Sequence, residues 1–410
     1  MAKVEQEFTV DRQKILSIGV RLTDNLGDVA IAQMIHHLFS SAGYYVKTID
    51  FNFRAVVSHA CPSFYHLFRK GSVGQKVRRR KVFSHLENRY LKIVLNFLKL
   101  VIYLPIVFVE FIRQSKGCSR VFIGGGNLLM GIEYGFPLQT LTYVLLSRML
   151  GKRVSFVCVG AGPFTASGVK PILRLALRLA DRVICRDTQS KKMIENELGA
   201  RLVVLEVLPD PVLAWPRVDD TAMIKYDILL TGMPLFSPAI FPDGDEGKAH
   251  RFKACLEELI LSLIQLGKRV GVLVTDPGVD LAFSKDVAEE AFEKTNVRLD
   301  INVPATPDEM AAIISSASLV FSTRMHGAIM ALSQSVPALG VCWQPKVRGL
   351  YTDLQIVSLL VEIDEYGRFP IQDVLHMISD ISKNSKSYIE DIDEKVNALR
   401  MQYKTRWASL

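Results

Sequence analysis

The sequence predicts an α/β protein made of two Rossmann-like, doubly wound domains facing a cleft. Three observations predict it. Short Val/Ile-rich runs alternate with helical stretches nearly throughout, the pattern of a parallel sheet covered on both faces. The alternation pauses once, at residues 209–225, and then restarts. The chain has 410 residues, too many for one ordinary core, so two domains of about 200 residues follow.

In the first half, "KILSIGV" reads as a strand and "GDVAIAQMIHHLFSSAG" as an amphipathic helix ending at Gly43. "YYVKTIDF", "SRVFIGGGNLL", "RVSFVCVGAGP", "DRVICRD" and "RLVVLEVLPD" are the next strand-like runs, with "TQSKKMIENELGA" a helix between the last two. "PDPVLAWPRVDDTAMIK", with three prolines and a charge cluster, reads as a linker. "YDILLTGM", "KRVGVLVTDPG", "VRLDIN", "SLVFSTR" and "VPALGVCW" restart the strands. "TPDEMAAIISSA" opens with Thr306 at an N-cap, Pro307 at the first helical position and Glu309 three after the cap. The predicted domains are 1–215 and 222–383, with a basic and apolar insertion at about 58–116. A final helix, 384–410, packs back on the body.

The bulk properties exclude several classes. Hydrophobic content is 49% and charged content 22%, which is globular rather than disordered. The polar start predicts no secretory leader and a cytoplasmic protein. Six scattered cysteines form no CxxC pair and stand at no ligand spacing to histidine, so a reducing compartment fits and no metal site is expected. Cys158 and Cys185 lie in apolar runs and read as core residues. Of the net charge of +8, much falls in "RKGSVGQKVRRRK", 69–81. It is either a solvated loop or, with the apolar stretch 90–112 that follows, a peripheral contact through 69–112 with the cytoplasmic face of an anionic membrane. Lys92, Asn96, Lys99, Pro105 and Glu110 make 90–112 a poor spanning helix. No nucleic-acid partner is expected, because the basic run lacks interleaved aromatics.

In doubly wound sheets, ligands bind at the carboxyl ends of the strands, so the motifs there carry the functional reading. Asn25, Gly27 and Asp28 fall in the first strand-to-helix turn. Asp28 either caps a helix beginning at Val29 or serves as an acid/base or ligand group. Gly124, Gly125, Gly126 and Asn127 end another strand, and Gly160 and Gly162 repeat the device. These glycines either admit an anion to backbone amides or serve packing. The pattern is not GxGxxG, which argues against a dinucleotide. Arg186 stands at a strand end as an anion contact or a salt-bridge partner of Asp187. Arg324 and His326 fall between a buried strand and the helix after it, whose N-terminus adds free amides and partial positive charge. Lys346 and Arg348 follow the next strand. Several cations converging on one cleft imply a substrate with more than one negative charge, beside a titratable histidine.

Together "NLGDVAI", "GGGNLL", "GAGP", "CRDTQS", "STRMHGAIMAL" and "QPKVRG" resemble the polysaccharide pyruvyl transferase family, over about residues 15–350. The resemblance implies a fold like the two-domain GT-B glycosyltransferases. It implies phosphoenolpyruvate as co-substrate, no other cofactor, and a sugar or lipid-linked glycan acceptor of a cell-surface or exopolysaccharide precursor, with a pyruvate ketal as product. Arg324, Met325 and His326 match the family's Arg-x-His donor-binding and catalytic turn, and Arg186 matches an arginine that holds the donor. On this reading His326 is the general acid and Asp28 the base, with Lys346 and Arg348 also on the donor. The rival readings are a GT-B glycosyltransferase using a nucleotide-sugar, a metal-dependent transferase built on Asp243 and Asp245, and a non-enzymatic membrane-surface protein for glycolipids.

Overall fold

A computed structural model describes residues 13–61, 89–199, 204–218, 223–241 and 243–410. It contains two six-stranded sheets, with every strand pairing parallel.

The first sheet holds β1 (Lys14–Gly19), β2 (Tyr45–Asp50), β3 (Arg120–Gly124), β4 (Arg153–Val159), β5 (Arg182–Cys185) and β6 (Val204–Val207), in the order β2-β1-β3-β4-β5-β6. Its crossovers include α1 (Leu26–Ser41), α2 (Phe53–Ala60), α3 (Arg89–Ser115), α4 (Gly135–Met149), α5 (Val169–Arg178) and α6 (Thr188–Met193). The second sheet holds β7 (Ile228–Thr231), β8 (Val270–Leu273), β9 (Asp300–Asn302), β10 (Val320–Ser322), β11 (Ala338–Cys342) and β12 (Leu360–Glu362). Read from the far edge, its order is β9-β8-β7-β10-β11-β12. Each sheet therefore reverses direction once, between β1 and β3 and between β7 and β10. Ligands bind at such switch points, outside the carboxyl ends of the strands.

The central strands are buried on both faces, so their sequences are apolar runs rather than alternations. α1 buries Ile31, Ile35, Leu38 and Phe39, each such side chain contributing about 1.5–3 kcal/mol relative to exposure. Cys158 and Cys185 are fully buried free thiols. Thr306 caps α9 (Pro307–Ser315) by accepting from the Glu309 amide at 3.1 Å, and the Glu309 carboxylate accepts from Ala305 at 2.8 Å. The last helix, α13 (Ser385–Ala408), runs back to the first sheet's domain, where Trp407 lies 5.5 Å from the Phe39 ring.

One expectation changes. The segment read as a linker is packed: Pro211, Val212, Leu213 and Trp215 are all buried, and Pro211–Ala214 forms a 3-10 turn capped by Asp210. A proline at the first position of a capped turn fits there without losing a needed N–H. The acidic pair Asp243 and Asp245 lies at the start of α7 (Glu246–Gln265), where Asp245 caps the helix by accepting from Lys248 at 2.8 Å.

Candidate active site

The two halves meet through specific bonds. The Leu26 amide, at the start of α1, donates to the Thr275 carbonyl beyond β8 at 3.0 Å. Thr188, at the start of α6, donates through its amide and hydroxyl to Asp353, the last residue of α11 (Pro345–Asp353), at 3.1 and 3.0 Å. These contacts bring the carboxyl ends of both sheets together.

On the second sheet, β10 stops because its end is tied down by side chains. Thr323 donates to the Thr231 carbonyl at 2.9 Å and accepts from the Met233 amide at 3.1 Å. The Ser322 hydroxyl donates to the Arg324 carbonyl at 2.6 Å. The chain then enters α10 (Met325–Ser333), with Arg324 at its cap position and His326 in its first turn. Met325 turns its side chain into the core, so its contribution to a ligand is limited to backbone.

His326 lies between two structures of the other half. Its Nε2 is 3.7 Å from Oδ2 of Asp210. Both atoms are buried and neither has a hydrogen-bond partner. Asp210 is 1% exposed. Burial pushes its carboxyl up, but His326, Arg186 and the Val212 amide outweigh this and hold it below the usual range. It is thus an ionised carboxylate facing a histidine at 3.7 Å, close enough to attract an imidazolium though not hydrogen-bonded to it. The other ring nitrogen, Nδ1, lies against Gly27. A Cβ there would sit 2.2 Å from it, so only glycine lets α1 approach the ring.

Asn25, not Asp28, caps α1: its side chain accepts from the Gly27 amide at 3.0 Å, and the helix starts at Leu26. Asp28 is therefore free of the capping role. It lies beside Gly126. Burial raises its pKa, opposed by His326, Arg186 and Lys346. A carboxyl raised in this way suits proton transfer.

Arg186 is 5% exposed, and its side chain makes a single hydrogen bond among the described residues, to Asp187 at 3.3 Å. Asp187 is also occupied, accepting from the Ser190 amide at 2.5 Å as the cap of α6. The Arg186 guanidinium packs against Gly160, where a Cβ would meet it at 2.8 Å and Asn127 Oδ1 at 2.6 Å. Arg324 is placed differently. Its Nε donates to both oxygens of Asp280 at 3.1 and 3.0 Å, and Nη2 adds a further short contact to the same carboxylate. Asp280, on α8 (Pro277–Thr295), is 1% exposed, and burial raises it to about 6 against the pull of Arg324.

Lys346, at the start of α11, completes the cluster. Burial, with the neighbouring Arg186 and Arg324 charges, lowers its ammonium to about 8, while Asp28 and Asp187 oppose this. Arg348 does not join it. It is exposed and pairs with Glu362 at 2.5 Å. Two residues along a helix is about 200° of rotation, which turns Arg348 away when Lys346 faces inward.

The glycine turns also differ from an amide cradle. The Gly125 amide donates to Val157 at 3.0 Å, Gly160 to Gly126 at 2.8 Å and Gly162 to Leu129 at 2.9 Å. Side chains at Gly124 and Gly125 would strike Val157 and Ile31, and one at Gly162 would strike Met193. Asn127 donates to the Gly162 carbonyl at 2.8 Å, which joins the two turns. These glycines let the turns pack and let Arg186 approach; the amides named are spent.

Asp210 and Asp280 escaped the sequence reading. Asp210 stands in a proline-rich segment, and Asp280 in a helix whose other acids face solvent. The "DPV" cap signature was the one local signal for the first.

The model of the family described as polysaccharide pyruvyl transferase matches residues 25–345. Among solved structures, the chain is similar to sucrose-phosphate synthase from Thermosynechococcus elongatus, with a TM-score of 0.55 and 13% identity over 97% of this chain and 100% of that one. It is also similar to a putative UDP-N-acetylglucosamine 2-epimerase from Listeria monocytogenes, with a TM-score of 0.52 and 13% identity over 93% and 91%. A third is the Anabaena protein HepE in complex with UDP, with a TM-score of 0.50 and 11% identity over 97% and 100%. At these identities the likeness is one of fold, and the fold is that of the GT-B glycosyltransferases and epimerases.

Proposed function

The chain belongs to the polysaccharide pyruvyl transferase family, and from that premise we propose that it transfers the pyruvyl group of phosphoenolpyruvate to a sugar diol, forming a ketal. The observation that carries this is Arg186: a guanidinium almost fully buried at the cleft, with five donors and one long bond. A buried charge so poorly paired is costly. A bound carboxylate or phosphate would supply the missing acceptors, with Lys346 and the N-terminus of α10 beside it.

The residues suit the chemistry. A proton from His326 Nδ1 adds to the methylene carbon of the donor and makes the central carbon electrophilic. Asp210, facing Nε2, stabilises the charged imidazole before transfer. One sugar hydroxyl attacks the central carbon, losing its proton to Asp28. The second hydroxyl attacks the same carbon, and the C–O bond to phosphate breaks. Phosphate leaves with the remaining proton, stabilised by Arg186 and Lys346. No other cofactor is needed for this balance.

A nucleotide-sugar donor is the competing reading, since two of the fold neighbours carry UDP or a UDP-sugar in their names. The test is to incubate the protein with phosphoenolpyruvate and a panel of lipid-linked and free oligosaccharides, following phosphate release and the product's mass. A ketal product supports the proposal. Turnover of nucleotide-sugars with none of phosphoenolpyruvate sinks it.

We also propose that a membrane face lies on α3. Val101, Ile102, Phe108, Val109 and Ile112 are exposed, Val109 by 65%. Among the described residues no helix is long and apolar enough to cross a membrane, so the contact is peripheral and brings the enzyme to lipid-linked acceptors in the cytoplasm. The basic run at 69–81 lies outside the described residues. Val109→Glu should weaken sedimentation with anionic vesicles; unchanged partitioning would remove this part.

A further inference from the structure

A cavity of about 390 Å³ opens in the first domain, beside the active cleft and separate from the residues assigned above. It lies at the carboxyl ends of β1 and β2, walled by α1, α2 and α3. Its volume is within the range of small-molecule sites.

The lining selects a ligand class. Val29, Ile49 and Val56 supply an apolar wall. Arg21, Gln33, Thr48, His59, Glu110 and Gln114 supply polar groups. Asp50, also in the lining, is spent: it accepts from the amides of Arg21, Leu22 and Asn52 at 2.9, 2.7 and 2.7 Å. Glu110 is 8% exposed. It is held by Arg113 at 2.9 and 2.8 Å and by Gln114 at 2.7 Å. Burial pushes its carboxyl up, but these bonds and nearby charges outweigh it, so it stays ionised. The side chains of Arg21, Gln33, Thr48 and His59 make no hydrogen bond among the described residues.

An anion finds no net cation here, because Asp50 and Glu110 match the charges of Arg21 and of the Arg113 that holds Glu110. A wholly apolar ligand is disfavoured by the buried carboxylate of Glu110. A neutral sugar fits both facts: its C–H face covers the valine and isoleucine wall, while its hydroxyls donate to Glu110 and bond the amides. The cavity also shares a loop with the cleft. Arg21 and Leu22 line the cavity, while Gly27, just past the loop's far end in α1, packs against His326.

We infer that this cavity is a subsite for the neutral sugar adjoining the reacting sugar in the acceptor glycan. The inference rests on the pyruvyl-transfer reading for the word acceptor, but the saccharide assignment rests on the cavity. The reacting diol sits at Asp28 and His326, and its neighbour in the glycan lies against Glu110 and Gln33.

The test is calorimetry on the full chain with lactose, cellobiose, maltose and N,N′-diacetylchitobiose, each against its methyl monosaccharides. Wild type is compared with Glu110→Gln and Gln33→Trp. Gln33 is exposed at the rim, so its variant narrows the mouth without touching the core. At least one disaccharide should bind more tightly than its monosaccharides, and each variant should weaken that disaccharide by about tenfold, the scale of one hydrogen bond to a charged group. Phosphoenolpyruvate binding should be the same in all three proteins. No disaccharide preference in wild type, or a preference that survives in both variants, overturns the subsite. A disaccharide preference without phosphoenolpyruvate binding keeps the subsite and removes the donor reading instead.

Discussion

The two halves of the site each place an arginine at the end of a strand, and they treat it in opposite ways. Arg324 in the second half is held by a carboxylate, with Asp280 accepting from its Nε at 3.0 and 3.1 Å and from its Nη2. Arg186 in the first half is more deeply buried yet has one bond of 3.3 Å. Sequence position alone makes them look equivalent. The difference assigns Arg324 to shaping the turn that carries His326, with its remaining N–H groups toward the ligand. It leaves Arg186 as the cation with most to gain from an anion.

The largest expected effect lies between the halves, at the histidine they share. His326→Ala should lower kcat by about 10²–10⁴, the usual range for a general acid, with phosphoenolpyruvate still bound. Near-normal turnover at saturating donor and acceptor would contradict the assignment. Asp210→Asn acts through the histidine, so it should lower kcat less, leave the donor's KM unchanged and shift the pH profile.

The arginine contrast is broken or sharpened by two alanine variants. Arg186→Ala should raise the donor's Kd by about 30–100-fold, as expected for losing charge-assisted bonds, while its melting temperature should fall less than that of Arg324→Ala, because one long bond to Asp187 is lost where Arg324 loses three contacts to Asp280. Arg324→Ala strands the buried Asp280 carboxylate. It should cost about 3 kcal/mol of stability at pH 8. That loss should shrink toward acid pH, since a carboxyl already raised to about 6 protonates still more readily without its guanidinium. Equal melting curves for the two variants would erase the distinction.

Lys346 supplies a smaller, pH-dependent effect. Its ammonium, lowered to about 8, is charged below that pH and neutral above it. Donor affinity should fall by about three- to tenfold as pH rises through 8. Lys346→Arg should flatten the profile, since a guanidinium stays charged. The smallest effect belongs to Arg348→Ala, which should leave donor binding unchanged and alter stability by no more than about 0.5 kcal/mol.

Much of the architecture was legible because a parallel sheet writes itself as apolar runs between helices. The strand-end turns were legible for the same reason: Arg186, Arg324, His326 and Lys346 each follow a buried run directly. Pairings across the chain were not legible. Asp210 is separated from His326 by more than one hundred residues, and its prolines imitate a linker. Asp280 lies in the first turn of α8, where an acid reads as favouring the helix start and not as the partner of a distant arginine. Arg348 followed a strand end as Lys346 did, but helical rotation turned it outward. The triglycine looked like an anion loop because composition does not show that a neighbouring strand takes an amide.

The central claim is that a phosphoenolpyruvate site is built around Arg186. Calorimetric titration of phosphoenolpyruvate into wild type and Arg186→Ala tests it most directly. The account predicts saturable binding in wild type that is largely lost in the variant. Binding of equal strength in both proteins, or binding of a nucleotide-sugar in place of phosphoenolpyruvate, would contradict it.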